Sequence, residues 1–237
     1  MALFRRKPRS RAEVVAAADR ARTRGRVRAA IEGYREALAS DPSDPSINVK
    51  LAPLLARIGD VEGGVRCFRA AAERHLAAGF VDRAAAVCVN ATAVFPLDAG
   101  FRLEAARLNV QRGRKADAAA VLVDGGRTLA RARRRDAAAS LLRRALEISP
   151  DHLDAALALA PLLAAEGRRG EARALLAAAE ERAAGRELRR VRWATFRLAP
   201  SPATFVRALA ASFSRGRPRR GPANQPSVRA APERRGR

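Results

Sequence analysis

Apolar positions recur along the chain at intervals of three and four, as at Ile31, Tyr34 and Leu38 and again at Leu141, Leu142, Ala145, Leu146 and Ile148. That spacing places them on one face of a helix. No stretch alternates strictly enough to make a strand. The periodic runs stop at Gly25, Gly59, Gly79, Gly113, Gly167 and Gly185, or at the pairs Asp41-Pro42, Phe95-Pro96 and Ser149-Pro150. Glycine accepts the left-handed conformation that closes a helix, and the residue before a proline resists continuing one. The pattern therefore predicts about 11–12 helices, over 12–23, 26–39, 46–57, 60–78, 80–94, 99–112, 114–131, 134–148, 152–165, 168–184, 186–198 and 203–213. Short helices joined by tight turns form an antiparallel stack.

A repeat lies on top of this pattern. The hexapeptide LAPLLA occupies 51–56 and returns letter for letter at 159–164, and half of that offset also matches. At 54 residues, Gly59 maps to Gly113 and Gly113 to Gly167, Ala84 to Ala138, Ala91 to Ala145 and Pro96 to Pro150. Each 54-residue unit holds three predicted helices. An odd number of helices swaps layers in a two-layer stack. The helices at 46–57 and 152–165 should then share a face, with the helix at 99–112 on the other. Pro53 and Pro161 hold equivalent interior positions of the first two. A proline there removes a hydrogen bond and costs about 3 kcal/mol unless the helix bends. The pair predicts a matched bend, used in packing or to open a groove.

Composition sharpens the fold class and narrows the function. Ala and Arg together fill about 43 per cent of 237 positions, while aromatic residues number ten and isoleucines four. An alphabet so rich in helix formers and poor in β-branched residues specifies an all-α protein with no sheet. With two His, two Cys and one Tyr, groups for acid–base or covalent catalysis near neutral pH are scarce. His75 and His152 are far apart, neither has a second ligand at metal spacing, and Cys67 and Cys88 sit among apolar neighbours as free thiols rather than a disulfide. The reading is no enzyme, no catalytic or metal site and no cofactor.

The formal charge of +23 is uneven: residues 1–11 carry five basic and no acidic side chains, and 214–237 carry eight Arg against Glu233. Both ends are expected to be disordered, a basic arm and an Arg/Pro-rich tail. The body between them is only moderately basic, with both signs interspersed as on solvated helix faces. The arginines 131 and 133–135 flank a predicted turn, and Arg186, Arg189, Arg190 and Arg192 share a late helix with Trp193 and Phe196, whose rings are expected to turn inward. The longest uncharged run, residues 84–97, includes Asn90 and Pro96 and is too short to span a bilayer. Without an apolar stretch behind Arg5-Arg6-Lys7, no export signal is read and a cytoplasmic location is expected.

Residues 11–44 carry a recognisable pattern, with Gly25 before a helix holding Ala30, Tyr34, Ala37 and Leu38 and then Asp41-Pro42. This resembles the second half of a tetratricopeptide repeat. Later units keep the spacing: Gly59, Phe68 and Ala71, with Gly64 in place of the usual Ala; Gly113, Ala118 and Leu122; Gly167, Ala172, Leu176 and Ala179. Small residues let helices approach, and one large residue fills the space left. The chain departs from the family in Ala17, Ala18 and Ala21 of its first helix and in a period 20 residues longer than the family's 34.

The resemblance implies a right-handed solenoid of helical hairpins over 12–200, in units of about 11–44, 45–98, 99–152 and 153–200, with a cap at 201–213 in which Phe205, Leu209 and Phe213 cover the end of the stack. It also implies a noncatalytic scaffold or adaptor that holds a protein or peptide on the first helix of each pair. The surface expected there comprises Val15, Asp19, Val49, Pro53, Ala56, Leu103, Arg107, Leu157 and Pro161. Mostly apolar, it suits an apolar helix or a second copy of the chain better than an acidic C-terminal peptide. Two other readings stay open. One is nonspecific nucleic-acid association through the basic tails, with Arg215, Arg217, Arg219 and Arg220 as contacts, and the other is a self-assembling structural protein.

Overall fold

A computed structural model describes residues 10–213. They form twelve helices: α1 (Arg11–Thr23), α2 (Val27–Leu38), α3 (Pro45–Arg57), α4 (Val61–Ala77), α5 (Val81–Val94), α6 (Ala99–Gln111), α7 (Lys115–Arg131), α8 (Arg135–Ile148), α9 (Leu153–Ala165), α10 (Arg169–Arg182), α11 (Gly185–Leu198) and α12 (Pro202–Phe213). No strand occurs among the described residues. The readings of residues 1–9 and 214–237, including Arg215, Arg217, Arg219 and Arg220, fall outside the described residues.

The 54-residue period is visible in the starts of the helices: α3, α6 and α9 begin at 45, 99 and 153, and α4, α7 and α10 at 61, 115 and 169. The local reasons repeat with it. Asp44, Asp98 and His152 each cap the following helix, their side chains accepting from backbone N–H groups of the first turn. Gly59, Gly113 and Gly167 share left-handed turns, and Gly25 and Gly79 form a second such series. The third member of that series is Arg133, at φ 63°. An L-residue pays about 1 kcal/mol or more for that conformation.

Each helix packs on its chain neighbours, and the contacts between alternate helices define the layers. Helix α3 touches α5, α7 touches α9 and α9 touches α11, whereas α6 touches α8. Odd helices therefore form one layer and even helices the other. Helices α3 and α9 lie together with α6 opposite, as the odd count per unit requires.

Between the layers, small and large residues alternate at the repeat spacing. Ala30, Ala84 and Ala138 are fully buried, and the bulky positions Phe68, Leu122 and Leu176 are equally enclosed. Each of those large side chains contributes roughly 2–3 kcal/mol of burial. Tyr34, Ala37, Ala71, Ala118 and Ala172 are also buried, while Pro42, Pro96 and Pro150 mark exposed turns and Ala179 is half-buried. Pro53 and Pro161 sit inside α3 and α9, which continue past them. Cys88 is buried and Cys67 half-buried, both as free thiols.

The end of the stack differs from expectation. Helix α12 packs on α11 through Ala208 and Ala211, not through the face bearing Leu209. Two methyl groups permit a closer approach than larger side chains would. Phe205 sits at the edge of this contact, against Trp193 and Phe196, yet stays 42% exposed, and Leu209 is 40% exposed. The side chain of Phe213 is outside the described ones.

Candidate functional site

The odd layer carries an ion-pair cluster at its first two helices. Asp19 of α1 accepts from Tyr34 Oη at 2.6 Å and from Lys50 Nζ of α3 at 3.0 and 3.1 Å. Arg22 Nε donates to the same phenol oxygen at 3.2 Å. The Tyr34 hydrogen bond, with the charges of Lys50 and Arg22, holds the Asp19 carboxyl below its ordinary range. Burial, and then the carboxylate beside it, push the Tyr34 phenol up to about 12. Asp19, expected as a partner contact, is thus a joint between α1, α2 and α3, and Val15 beside it is half-buried.

Below this joint, the N-terminus of α3, the C-terminus of α4 and the start of α5 enclose a groove of about 720 Å³. Val49, Lys50, Arg74, His75, Phe80 and Arg83 line it. Phe80 stands 50% exposed, with the Arg83 guanidinium 4.7 Å from its ring centroid and His75 edge-on at 6.5 Å. Among the described residues no carboxylate pairs with Arg74 or Arg83, while Asp44 at the rim is occupied by Arg11 and by capping α3. Of the expected surface, Val49 lies in this groove. Arg74, Phe80 and Arg83 were not anticipated from sequence, since they come from two helices that meet only in the fold. The available signal was an aromatic directly after Gly79.

A second groove, of about 530 Å³, occupies the equivalent place 108 residues on, between α9, α10 and α11. Its charges are internally matched. Asp154 pairs with Arg127 at 2.9 Å and with Arg190, and Arg182 pairs with Asp151 at 3.0 Å. Burial works against charge on Asp154, yet the two guanidinium groups outweigh it and hold the carboxyl below its usual range.

The remaining expected residues divide between layers. Pro53 and Ala56 on α3 and Leu157 on α9 are half-buried, and Pro161 is exposed. Leu103 and Arg107 lie on α6, in the opposite layer from the other seven, in a groove of about 670 Å³ shared with α8. Arg107 is tied to Glu104 by two hydrogen bonds, at 2.5 and 3.0 Å. The arginines of α11 are partly matched as well, Arg190 by Asp154 and Arg192 by Glu180, and Trp193 and Phe196 join Phe205 in an aromatic cluster.

Comparison with known proteins agrees with this architecture. One tetratricopeptide repeat family model matches residues 15–74 and 69–122, and a second matches 129–192. No curated protein matches the sequence. Among solved structures, BtubC (BKLC) from P. vanneervenii is similar at 21% identity over 81% of this chain and 83% of that one, with a TM-score of 0.38. The Rap conjugation gene regulator of plasmid pLS20, solved in complex with the Phr* peptide, gives 16% identity, 84% and 62% coverage and a TM-score of 0.38. PilF of Pseudomonas aeruginosa gives 16%, 85% and 88%, and 0.31. With repeat models matched over most of its length, the chain belongs to the tetratricopeptide repeat family.

Proposed function

We propose that the protein is a noncatalytic adaptor that holds a segment of a partner protein on its odd-helix layer. Tetratricopeptide repeat domains generally bind proteins or peptides. The observation that carries the reading here is the groove at α3, α4 and α5, where half-exposed Phe80 is flanked by Arg74 and Arg83, which have no carboxylate partner among the described residues. A large aromatic ring left in water beside two uncompensated guanidinium groups is the kind of anchor that interfaces concentrate their energy on. Val15, Val49, Pro53, Ala56, Leu157 and Pro161 extend that layer as flanking contact surface, and Leu103 with Arg107 offers a separate face on α6.

The test is site-specific photocrosslinking in an extract of the source cells, with and without nuclease treatment. Benzoylphenylalanine replaces Phe80 in one sample and Val89, a comparably exposed residue of α5, in another. The reading expects a discrete protein adduct from position 80 that is weak or missing from position 89. Equal adducts from both positions count against this groove. Association that vanishes with nuclease favours nucleic-acid binding, and adducts only between copies of the chain favour self-assembly.

A further inference from the structure

The groove between α3, α4 and α5 carries three exposed residues that the packing of the repeat does not require. Buried positions recur from unit to unit, Ala84 with Ala138 and Phe68 with Leu122, whereas Arg74, Phe80 and Arg83 give way one unit on to Thr128, Arg134 and Ala137. Helices α7 and α8 keep the lengths of α4 and α5 with those replacements in place. The stack itself is therefore indifferent to these three side chains.

The charges of the groove do not balance. Lys50 is neutralised by Asp19 at 3.0 Å, and the rim carboxylate of Asp44 is taken by Arg11. Arg74 and Arg83 remain, with no carboxylate partner among the described residues. In the groove two units on, by contrast, Arg182 and Arg190 meet Asp151 and Asp154 of the same chain. Beside the two free arginines the wall is apolar: Phe80 stands half in water next to half-buried Val49 and exposed Ala77 and Ala78.

We propose, resting on the assignment of this groove to a partner, that its occupant is a protein segment in which an apolar side chain lies between acidic residues. The apolar side chain packs on Phe80 and Val49, and the carboxylates accept from the guanidinium groups of Arg74 and Arg83. Each half depends on the other. An acid alone gains little from an exposed arginine in water. Once the seated side chain excludes water, the same charge-assisted hydrogen bonds strengthen, and the covered ring supplies the anchor.

Charge separates this occupant from the alternatives. Nucleic acid needs a track of free cations along its backbone, and Lys50 and Arg11 at the border of the groove are committed to Asp19 and Asp44. The Arg83 guanidinium, 4.7 Å from the Phe80 centroid, also lies over the ring on which a base would stack. A second copy would bring a formal +23 to a site whose excess is already positive.

The full chain is used to select from a displayed library of random short peptides at physiological salt, and the selected peptides are titrated against the parent and its variants. Enrichment of Leu, Phe or Trp flanked by Asp or Glu is expected. Phe80→Ala and the double variant Arg74→Ala/Arg83→Ala should each weaken such a peptide roughly tenfold. Arg28→Ala/Arg189→Ala removes the same charge from exposed positions elsewhere and should change the affinity less than about twofold. Equal losses from the two arginine pairs would overturn the proposal by showing that bulk charge acts. Selected peptides that need Phe80 but carry no acids would overturn this partner chemistry and leave the groove as the partner site. Binding that survives Phe80→Ala, or no enrichment over a Phe80→Ala bait, would overturn both. A single-stranded oligonucleotide that binds in a Phe80-dependent manner, or a dimer that Phe80→Ala dissolves, would overturn the proposal in favour of nucleic acid or a second copy.

Discussion

Tyr34 donates its phenolic proton to Asp19 across the interface between α1 and α2, and Lys50 reaches the same carboxylate from α3. One acid thereby ties three helices of the first repeat and the start of the second.

Tyr34 is the only tyrosine, so an ultraviolet titration reports it alone. The phenol should ionise near 12 rather than at the ordinary 10.0. A raised folded value means that stability is complete below about pH 10 and falls as pH climbs toward 12, by on the order of 2 kcal/mol. Asp19→Asn should bring the titration down. Asp19 itself has the opposite sign. Its depressed carboxyl stabilises the fold above the ordinary carboxylate range and loses that contribution as pH drops through it.

Arg133 stands at the left-handed position that Gly79 and Gly25 occupy one and two units earlier. Arg133→Gly should raise stability by about 1 kcal/mol, seen as a higher midpoint in urea with an unchanged slope. Gly79→Ala should lower it by a similar amount.

Asp98 caps α6 through Gly100 N at 2.7 Å and Phe101 N at 3.4 Å. Asp98→Ala should cost about 1 kcal/mol, and Asp98→Asn distinctly less, because the amide oxygen still accepts. Thermal or urea unfolding distinguishes the two.

Arg102 is 5% exposed, reaches Asp124 at 2.7 Å and leaves its Nε without a partner. Its stem runs where a β-carbon on Gly125 would sit, and Leu141 closes the same space at 2.9 Å. Gly125→Ala should destabilise by about 1–3 kcal/mol through overpacking. Arg102→Ala should also destabilise, but the double variant should lose less than the sum, because the new methyl fills part of the vacated volume. Additive losses in a double-mutant cycle would refute this packing. Arg102→Met should stay within about 1 kcal/mol of the parent, since the Asp124 side chain it abandons is mostly in water.

The helical stack and its period were legible in the sequence because Gly and Pro mark turns by steric necessity, independent of what packs around them. The alternation of layers followed from counting three helices per unit. Arg133 was hidden because nothing in an arginine announces a positive φ, although the register from Gly25 and Gly79 pointed to it. Arg102 was hidden because its burial depends on Gly125, a residue on the neighbouring helix. At α12, hydrophobicity favoured Phe205 and Leu209 as the packed face, yet the small Ala208 and Ala211 occupy it. The same limit applies to the groove. Val49, expected from its place on α3, lines this groove, whereas Arg74, Phe80 and Arg83 become neighbours only when α4 and α5 fold beside it.

The three-helix unit exchanges the two layers at every repeat. Three helices separate one unit from the next, so the caps Asp44, Asp98 and His152 begin helices that lie in alternate layers. Two opposite sides of the protein are consequently built from related residues. A duplication of one unit would deliver everything after it, α12 included, to the other side, and only a second would bring it back. Growth of this chain is counted in pairs, and a partner engaged on one side meets a cognate surface pointing away from it one unit along.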